Sequence, residues 1–316
     1  MQVSAVPPQL GLSPMDGVTD QAMRLITKKY GQPDLLTTEF VNVEGWHHAR
    51  ERLLADLQFD AREQPLIAQI YGVTPAYFAE CTRDIIALGF SGVEINFGCP
   101  AKTVVHSGAG ASMIKTPELA REIVGCVQKT VRELKPELPV SIKTRIGYEH
   151  NSADDWIPFL LTLHPARLTI HGRTLKQGYT GTADWETIGR MVQYRDQLSP
   201  STLLFGNGDL HSRAQALQAI HDYGLDGALI GRAALGNPWV FTDHVPSLSE
   251  RAQVAIEHSQ LFADLYHTRH KYSFVPMRKH LAAYIANFPE AKSWRSQLMQ
   301  AESPAQVETI LQPLIK

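Results

Sequence analysis

Eight short β-rich runs, each followed by a stretch with helical apolar spacing, constrain this chain more than any other feature. The runs are LGLSPM (10–15), LLTTEF (35–40), PLIAQIYG (65–72), GVEINFG (92–98), PVSIKTRIG (139–147), RLTIHGR (167–173), TLLFGNG (202–208) and GALIGR (227–232). Most are apolar at successive positions, the pattern of parallel strands covered on both faces. Eight βα units in a row predict an α/β fold, a (β/α)8 TIM barrel. A doubly wound sheet is the alternative, but no Gly-x-Gly-x-x-Gly follows the first strand.

The intervening helices carry start and stop signals. Thr74 and Pro75 suit an N-cap and a first helical position, Phe78, Cys81, Ile85 and Leu88 make one apolar stripe, and Gly89 ends it. TPE at 116–118 repeats that opening, and Cys81 and Cys126 read as core packing. After about residue 246 the alternation stops. VPSLSE (245–250) reads as a linker, and QVAIEHSQLFADLYH, RKHLAAYIANF and AQVETILQPLI read as helices. The expected organisation is a barrel over 1–245 and a small all-helical C-terminal domain over 246–316.

Three cysteines without short spacing argue against a disulfide framework and against a zinc site, so no metal is expected. No apolar run is long enough to cross a membrane, and MQVSAVPPQLG lacks the order of a secretion signal. A cytoplasmic protein is the expectation, and a monomer, because no long exposed apolar stripe is evident. The net charge of −2 does not announce a nucleic-acid partner. Its distribution is uneven: residues 247–316 carry +2 and the rest −4. YHTRHKYSFVPMRKH (266–280) holds Arg269, Lys271, Arg278 and Lys279 and no acid, so it reads either as a basic stripe or as a solvated helix face.

In a barrel the active site lies at the C-terminal ends of the strands. Those ends are polar nearly all the way round: SPMDG, Gln69, Asn96 with Cys99, Lys143 with Arg145, His171 with Arg173, GNGD and GR. Burying so many polar groups without a ligand would be costly. Gly206, Gly208 and Gly231 allow backbone N–H groups to approach a ligand, and Arg232 adds a charge, as in the phosphate sites after the last two strands of barrels. From spacing alone, Lys143 fits a Schiff-base nucleophile or a cation beside an electron-rich ring, and His171 a base or a hydrogen-bond donor.

LSPMDGVTD, NFGCPAKTVVHSGAGASM, SIKTRIG, HGRTLKQGYTGTADW, FGNGD and IGRAALGNPWVF, in this order, together resemble the flavin-dependent tRNA-dihydrouridine synthases, and MRKHLAAY (277–284) resembles a motif of that family's helical domain. GCPAKTV is closer to its bacterial branches. The resemblance implies FMN as cofactor and NADPH (or NADH) as reductant, with no separate nucleotide-binding motif, and tRNA as partner. It places Pro14, Met15 and Asp16 along the isoalloxazine, and Gln69 and Lys143 at its pyrimidine part and N5 side. His171 would contact flavin or base, and Asn207, Gly208, Asp209, Gly231 and Arg232 would hold the ribityl phosphate. Asn96 and Arg145 would bind the flipped uracil, and Arg278 and Lys279 the RNA. Cys99 would protonate C5 after a hydride reaches C6; a thiol at its ordinary pKa of about 8.5 is mostly protonated at neutral pH. That role requires Lys143 to stay out of contact with the sulfur. The Gly/Ser-rich HSGAGAS implies a mobile loop beyond Cys99. Trp294 fits either RNA contact or domain core.

Ser13 stands where the family more often has alanine. Two rivals share many of these features. An FMN-dependent oxidoreductase of a free pyrimidine, dihydroorotate-like, would not need the helical domain. A non-catalytic RNA-binding protein would not need Cys99, Lys143 and His171.

Overall fold

The computed structural model describes residues 7–54, 57–269 and 272–315. Eight parallel strands form one sheet: β1 (Gln9–Leu12), β2 (Leu36–Asn42), β3 (Leu66–Tyr71), β4 (Gly92–Phe97), β5 (Val140–Arg145), β6 (Arg167–His171), β7 (Leu203–Asn207) and β8 (Gly227–Ile230). Their order is β1-β8-β7-β6-β5-β4-β3-β2. A parallel bridge between Gly11 and Leu35, with Leu12 N–H donating to Leu35 O at 3.2 Å, joins β1 to β2 and closes the ring. All eight expected strands are present.

Helices α1 (Gln21–Gly31), α2 (Val43–Leu54), α3 (Pro75–Leu88), α4 (Lys102–His106), α5 (Pro117–Leu134), α6 (Ala153–Leu161), α7 (Trp185–Leu198) and α8 (Arg213–Tyr223) connect the strands. The main core lies between sheet and helices, where Ile95, Ile142, Leu168 and Leu204 meet Phe78, Ile123, Ile157 and Ile188. Cys81 is buried in it, whereas Cys126 is only partly buried and stands outside the cluster. α3 starts at Pro75 as its sequence predicts. Thr74 supplies no side-chain cap; Glu44 instead accepts the Val73 and Thr74 N–H groups at 2.8 and 3.0 Å.

Inside the ring, Leu35, Phe205 and Leu229 form a small apolar floor. The next layer is polar. Glu94 is fully buried and accepts from Gln69 Nε2 at 2.7 Å and from Arg167 at 2.9 Å. Burying charge is tolerable here because each group is paired.

Beyond the barrel, α9 (Leu248–Tyr266), α10 (Met277–Tyr284), α11 (Ala291–Leu298) and α12 (Pro304–Leu311) build a second core around Phe262, Met277, Leu281, Leu298 and Val307. Ala22, Ile26 and Trp239 belong to the same cluster, so this core is shared with the barrel wall. Residues 247–250, read as linker, instead form a capping box: Ser247 Oγ accepts from Glu250 N–H and Glu250 accepts from Ser247 N–H. α11 has too few apolar positions for its sequence to announce it. Trp294 packs partly buried against the second core. Among the described residues no helix is long and apolar enough to cross a membrane.

His258 and His280 are enclosed in this second core, with ring centroids 4.9 Å apart. His258 Nδ1 meets the Tyr284 hydroxyl at 3.2 Å, but among the described residues His258 Nε2 and both nitrogens of His280 have no hydrogen-bond partner. Burial holds His258 down to about 3 and His280 well below its ordinary value. Both rings are therefore neutral when folded and gain protons on unfolding below about pH 6.5. Stability is expected to fall by up to about 1.4 kcal/mol per ring for each pH unit below that value. Urea midpoints at pH 7 and pH 5 measure this, and His280→Leu should weaken the pH slope. An equal slope in both proteins would show that the unfolding step does not involve this cluster.

Candidate active site

Alternation along each strand sends every second side chain into the ring. Strand register then sets the layers. Asn96, Lys143 and Thr169 are neighbours across β4, β5 and β6, and Arg145, His171 and Asn207 are neighbours across β5, β6 and β7. The second layer is about 6.6 Å nearer the mouth, two residues along each strand.

Asn96 organises the first layer. Its Oδ1 accepts the N–H groups of Gly98 (2.9 Å) and Cys99 (2.8 Å), and its Nδ2 donates to Gln69 Oε1 at 2.9 Å. One amide thus ties the turn carrying the thiol to the Gln69–Glu94–Arg167 layer below. Gln69 is fully buried, with its amide engaged by Glu94 and Asn96 beneath the mouth. Arg145 braces the same turn from β5: its Nε donates to Gly98 O at 2.7 Å, and its Nη1 to Thr174 O and Gly178 O. The residues expected to meet a uracil are, in this structure, the ones that position Cys99.

Cys99 is 9% exposed, beside Val104 and Ala109 and against Phe40, Tyr71 and Val73. Burial pushes its thiol up. An Ala101 backbone contact, Arg145 and Lys143 pull it back only partly, and Asp16 pushes it further up. Among the described residues no hydrogen bond or ion pair engages Lys143, although Lys143 and Cys99 lie near enough to act on each other electrostatically. Burial holds Lys143 down to about 8, against the opposing pull of Glu94.

The segment after Cys99 is not the loose loop that its Gly/Ser content suggests. It folds as α4 and a 3₁₀ turn, Gly110–Lys115. Ala111 N–H donates to Cys99 O at 3.1 Å, and Ser107 and Ser112 hydroxyls donate to Val104 O and Val105 O. Gly110 is required there: its φ is +59°, and a Cβ would stand 2.8 Å from Cys99 O.

On the opposite side, Asp209 gathers two arginines. Its carboxylate accepts from Arg173 Nη2 (2.5 Å), Ala183 N–H (2.8 Å) and Arg232 Nη2 (2.9 Å). Burial would push this carboxyl up, but these three contacts hold it below its usual range. Asp209 therefore orients cations rather than meeting an anion itself. Arg173 is 1% exposed, and its Nη1 has no partner among the described residues. Its position at a strand end was visible in HGRT, yet its part in this clamp comes only from the fold. Asn207 Nδ2 donates to Leu229 O at 2.8 Å, holding β7 against β8. Gly208, at φ +127°, leaves room for Ala183, whose Cβ an added side chain would meet at 2.6 Å. Gly231 lies close to Ser13 and Met15. His171 is buried with Nδ1 unpartnered, and burial plus Arg145, Lys143, Arg173 and Arg232 hold it well below its ordinary pKa, hence neutral. Pro14 and Met15 are half-buried and Asp16 exposed in the loop after β1.

The basic residues of 266–280 do not stand in one free row. Arg278 Nε donates to Ala301 O at 3.0 Å, Lys279 lies by Gly17 and acts on Asp20, and Arg269 stacks over Tyr266. Lys271 lies outside the described residues. Among the described residues no group of His, Cys, Asp and Glu is arranged to hold a metal.

Residues 11–316 match the sequence profile of the dihydrouridine synthase (Dus) family. A "probable tRNA-dihydrouridine synthase" of Staphylococcus aureus (strain MRSA252) is 33% identical over 307 residues, 95% of this chain and 91% of its own. A protein with the same description from Staphylococcus epidermidis is 34% identical, and a "probable tRNA-dihydrouridine synthase 2" of Bacillus subtilis (strain 168) is 32% identical, both over 95% of this chain and 91–92% of theirs. Among solved structures, a 2-naphthoyl-CoA reductase shares the fold with a TM-score of 0.55 and 12% identity, over 74% of this chain and 49% of that one. A polar strand-end face around Cys99, a profile matched from Gly11 to the last residue and relatives at a third identity along nearly the whole length lead to one assignment: this chain belongs to the dihydrouridine synthase family.

Proposed function

We propose that this protein reduces the C5=C6 bond of a uridine in tRNA, using FMN, with NADPH or NADH as reductant and Cys99 as proton donor. The observation that carries this reading is a thiol kept protonated by burial, in a turn fixed by Asn96, at the mouth of a barrel whose strand ends hold a buried guanidinium nitrogen without a partner among the described residues and a neutral imidazole. The relatives' descriptions supply tRNA as the substrate class.

The residues fit the cofactor. Among the described residues, Arg173 Nη1 and His171 Nδ1 are buried without partners. A phosphate suits the arginines that Asp209 aligns, beside the backbone of Gly208 and Gly231. Pro14 and Met15 offer a half-buried edge for a flat ring. Bound and reduced, FMN supplies the hydride. Lys143 places a positive charge near that ring, and His171, neutral, offers one N–H and one acceptor without attracting a proton from Cys99. Cys99 gives its proton to C5, and the thiolate left behind is reprotonated from solvent. Asn96 and Arg145 hold the turn so that the sulfur would meet C5 from the face of the base opposite the flavin, with an Asn96 N–H and an Arg145 N–H left over for the base edge. We read 1–245 as the catalytic domain and 246–316, with Arg278 and Lys279, as the tRNA-binding domain of a cytoplasmic monomer.

Unmodified bacterial tRNA incubated with FMN-loaded protein and NADPH, then analysed by nucleoside mass, should show a uridine heavier by two hydrogens. Flavin that bleaches with NADPH but yields no such nucleoside would redirect the assignment to a free pyrimidine.

A further inference from the structure

A cavity of about 520 Å³ opens between the ends of β1, β2 and β3 and the last turn of α9. Of the residues assigned above, Asp16 and Arg269 alone reach it. Phe40 and Tyr71, edge to face with centroids 4.6 Å apart, form the wall it shares with the Cys99 cluster. Tyr266 and Arg269 stand at the side of α9, the Arg269 guanidinium 4.5 Å from the Tyr266 ring.

Two groups inside point to a ligand. Arg24 is 2% exposed; its Nε is on Glu63 at 2.6 Å and its Nη1 on Thr19 O at 2.9 Å, while no hydrogen bond engages its Nη2 among the described residues. Glu39 takes a backbone contact from Gly17, and burial, with Asp20 and Asp16 nearby, pushes its carboxyl up to about 7. It is therefore partly ionised near neutral pH, and two N–H donors would draw it to the carboxylate form. A guanidinium donor and a carboxyl group able to accept thus share one chamber with an aromatic wall. The occupant must be flat, with a carbonyl for Arg24 beside N–H groups for Glu39. A phosphate inside is disfavoured, since it would have to be desolvated beside Asp16 and Glu39, whose carboxyl its charge would push further up, and Glu63 already neutralises Arg24. The Watson–Crick edge of guanine meets these demands: one carbonyl next to two N–H donors, which a carboxylate accepts together. Uracil offers one N–H between two carbonyls, adenine has no carbonyl, and cytosine keeps its carbonyl and amino group apart.

We propose that this cavity receives a second unstacked base of the bound RNA, a guanine, while the target uridine stands at Cys99. This rests on the tRNA reading above. The opening beside α9 supports an RNA occupant, because Arg269 is then outside the base, where a backbone phosphate passes.

The test is inosine interference. Unmodified tRNA transcript carrying inosine at a fraction of its guanosines is bound to FMN-loaded protein, and bound and unbound pools are mapped. Inosine lacks the 2-amino group. At one guanosine position the wild-type protein should deplete inosine from the bound pool about tenfold, and Glu39→Gln should not. Binding without any inosine-sensitive position, or the same sensitivity in both proteins, overturns the cavity proposal and leaves the uridine reading standing. No tRNA binding by the wild-type protein overturns both. Should Glu39→Gln fail to fold, the wild-type pattern is compared with that of Phe40→Leu, which should weaken depletion at the same position.

Discussion

Cys99→Ala is expected to slow dihydrouridine formation by about 10²- to 10⁴-fold, the range over which one positioned general acid contributes. The substitution leaves the turn intact, because Asn96 and Ala111 hold the backbone of residue 99 and not its sulfur. FMN binding and flavin reduction by NADPH should therefore be unchanged. Single-turnover reduction of tRNA by pre-reduced protein isolates the step, and a rate within threefold of wild type would remove Cys99 from the chemistry. The pH profile offers a second check. Burial pushes the thiol above its ordinary value, so its acid form persists through neutral pH. A first decline near pH 8 reports loss of charge on Lys143, which burial holds at about that value. The loss of the Cys99 proton comes later, at higher pH.

Asn96→Leu should have the largest effect on stability. Leucine keeps the volume but removes three buried hydrogen bonds, and it strands the Gly98 and Cys99 N–H groups and Gln69 Oε1. At about 1–3 kcal/mol for each of the three groups left unsatisfied, a loss of about 3–9 kcal/mol follows. Urea denaturation measures it. Alkylation of Cys99 by iodoacetamide in the native protein should also quicken, because the turn no longer holds the thiol against Phe40 and Tyr71. A variant as stable as wild type, with Cys99 equally protected, would show that Asn96 does not anchor this turn.

These effects explain why some assignments were legible in the chain and others were not. The eight strands were readable because parallel strands covered on both faces must be apolar at successive positions, and GCP marked the thiol directly after one of them. α11 escaped notice because its apolar contacts to the second core come from Trp294 and Leu298 alone. HSGAGAS looked mobile because composition cannot show that Cys99 O and two helix carbonyls take up the donors of that segment.

The order of apolar runs and the motifs between them determined the barrel, the family and the place of Cys99 just beyond a strand end, since periodicity and local residue chemistry are properties of neighbours in the chain. Only the tertiary structure decided that Asn96 and Arg145 brace Cys99, that Asp209 aligns Arg173 with Arg232, and that Arg24 and Glu39 share a cavity. Each of those pairings joins different strands, helices or loops, except the Asn96–Cys99 turn. Hydrogen-bond partners and burial across such distances depend on how the ring closes, which no local pattern encodes.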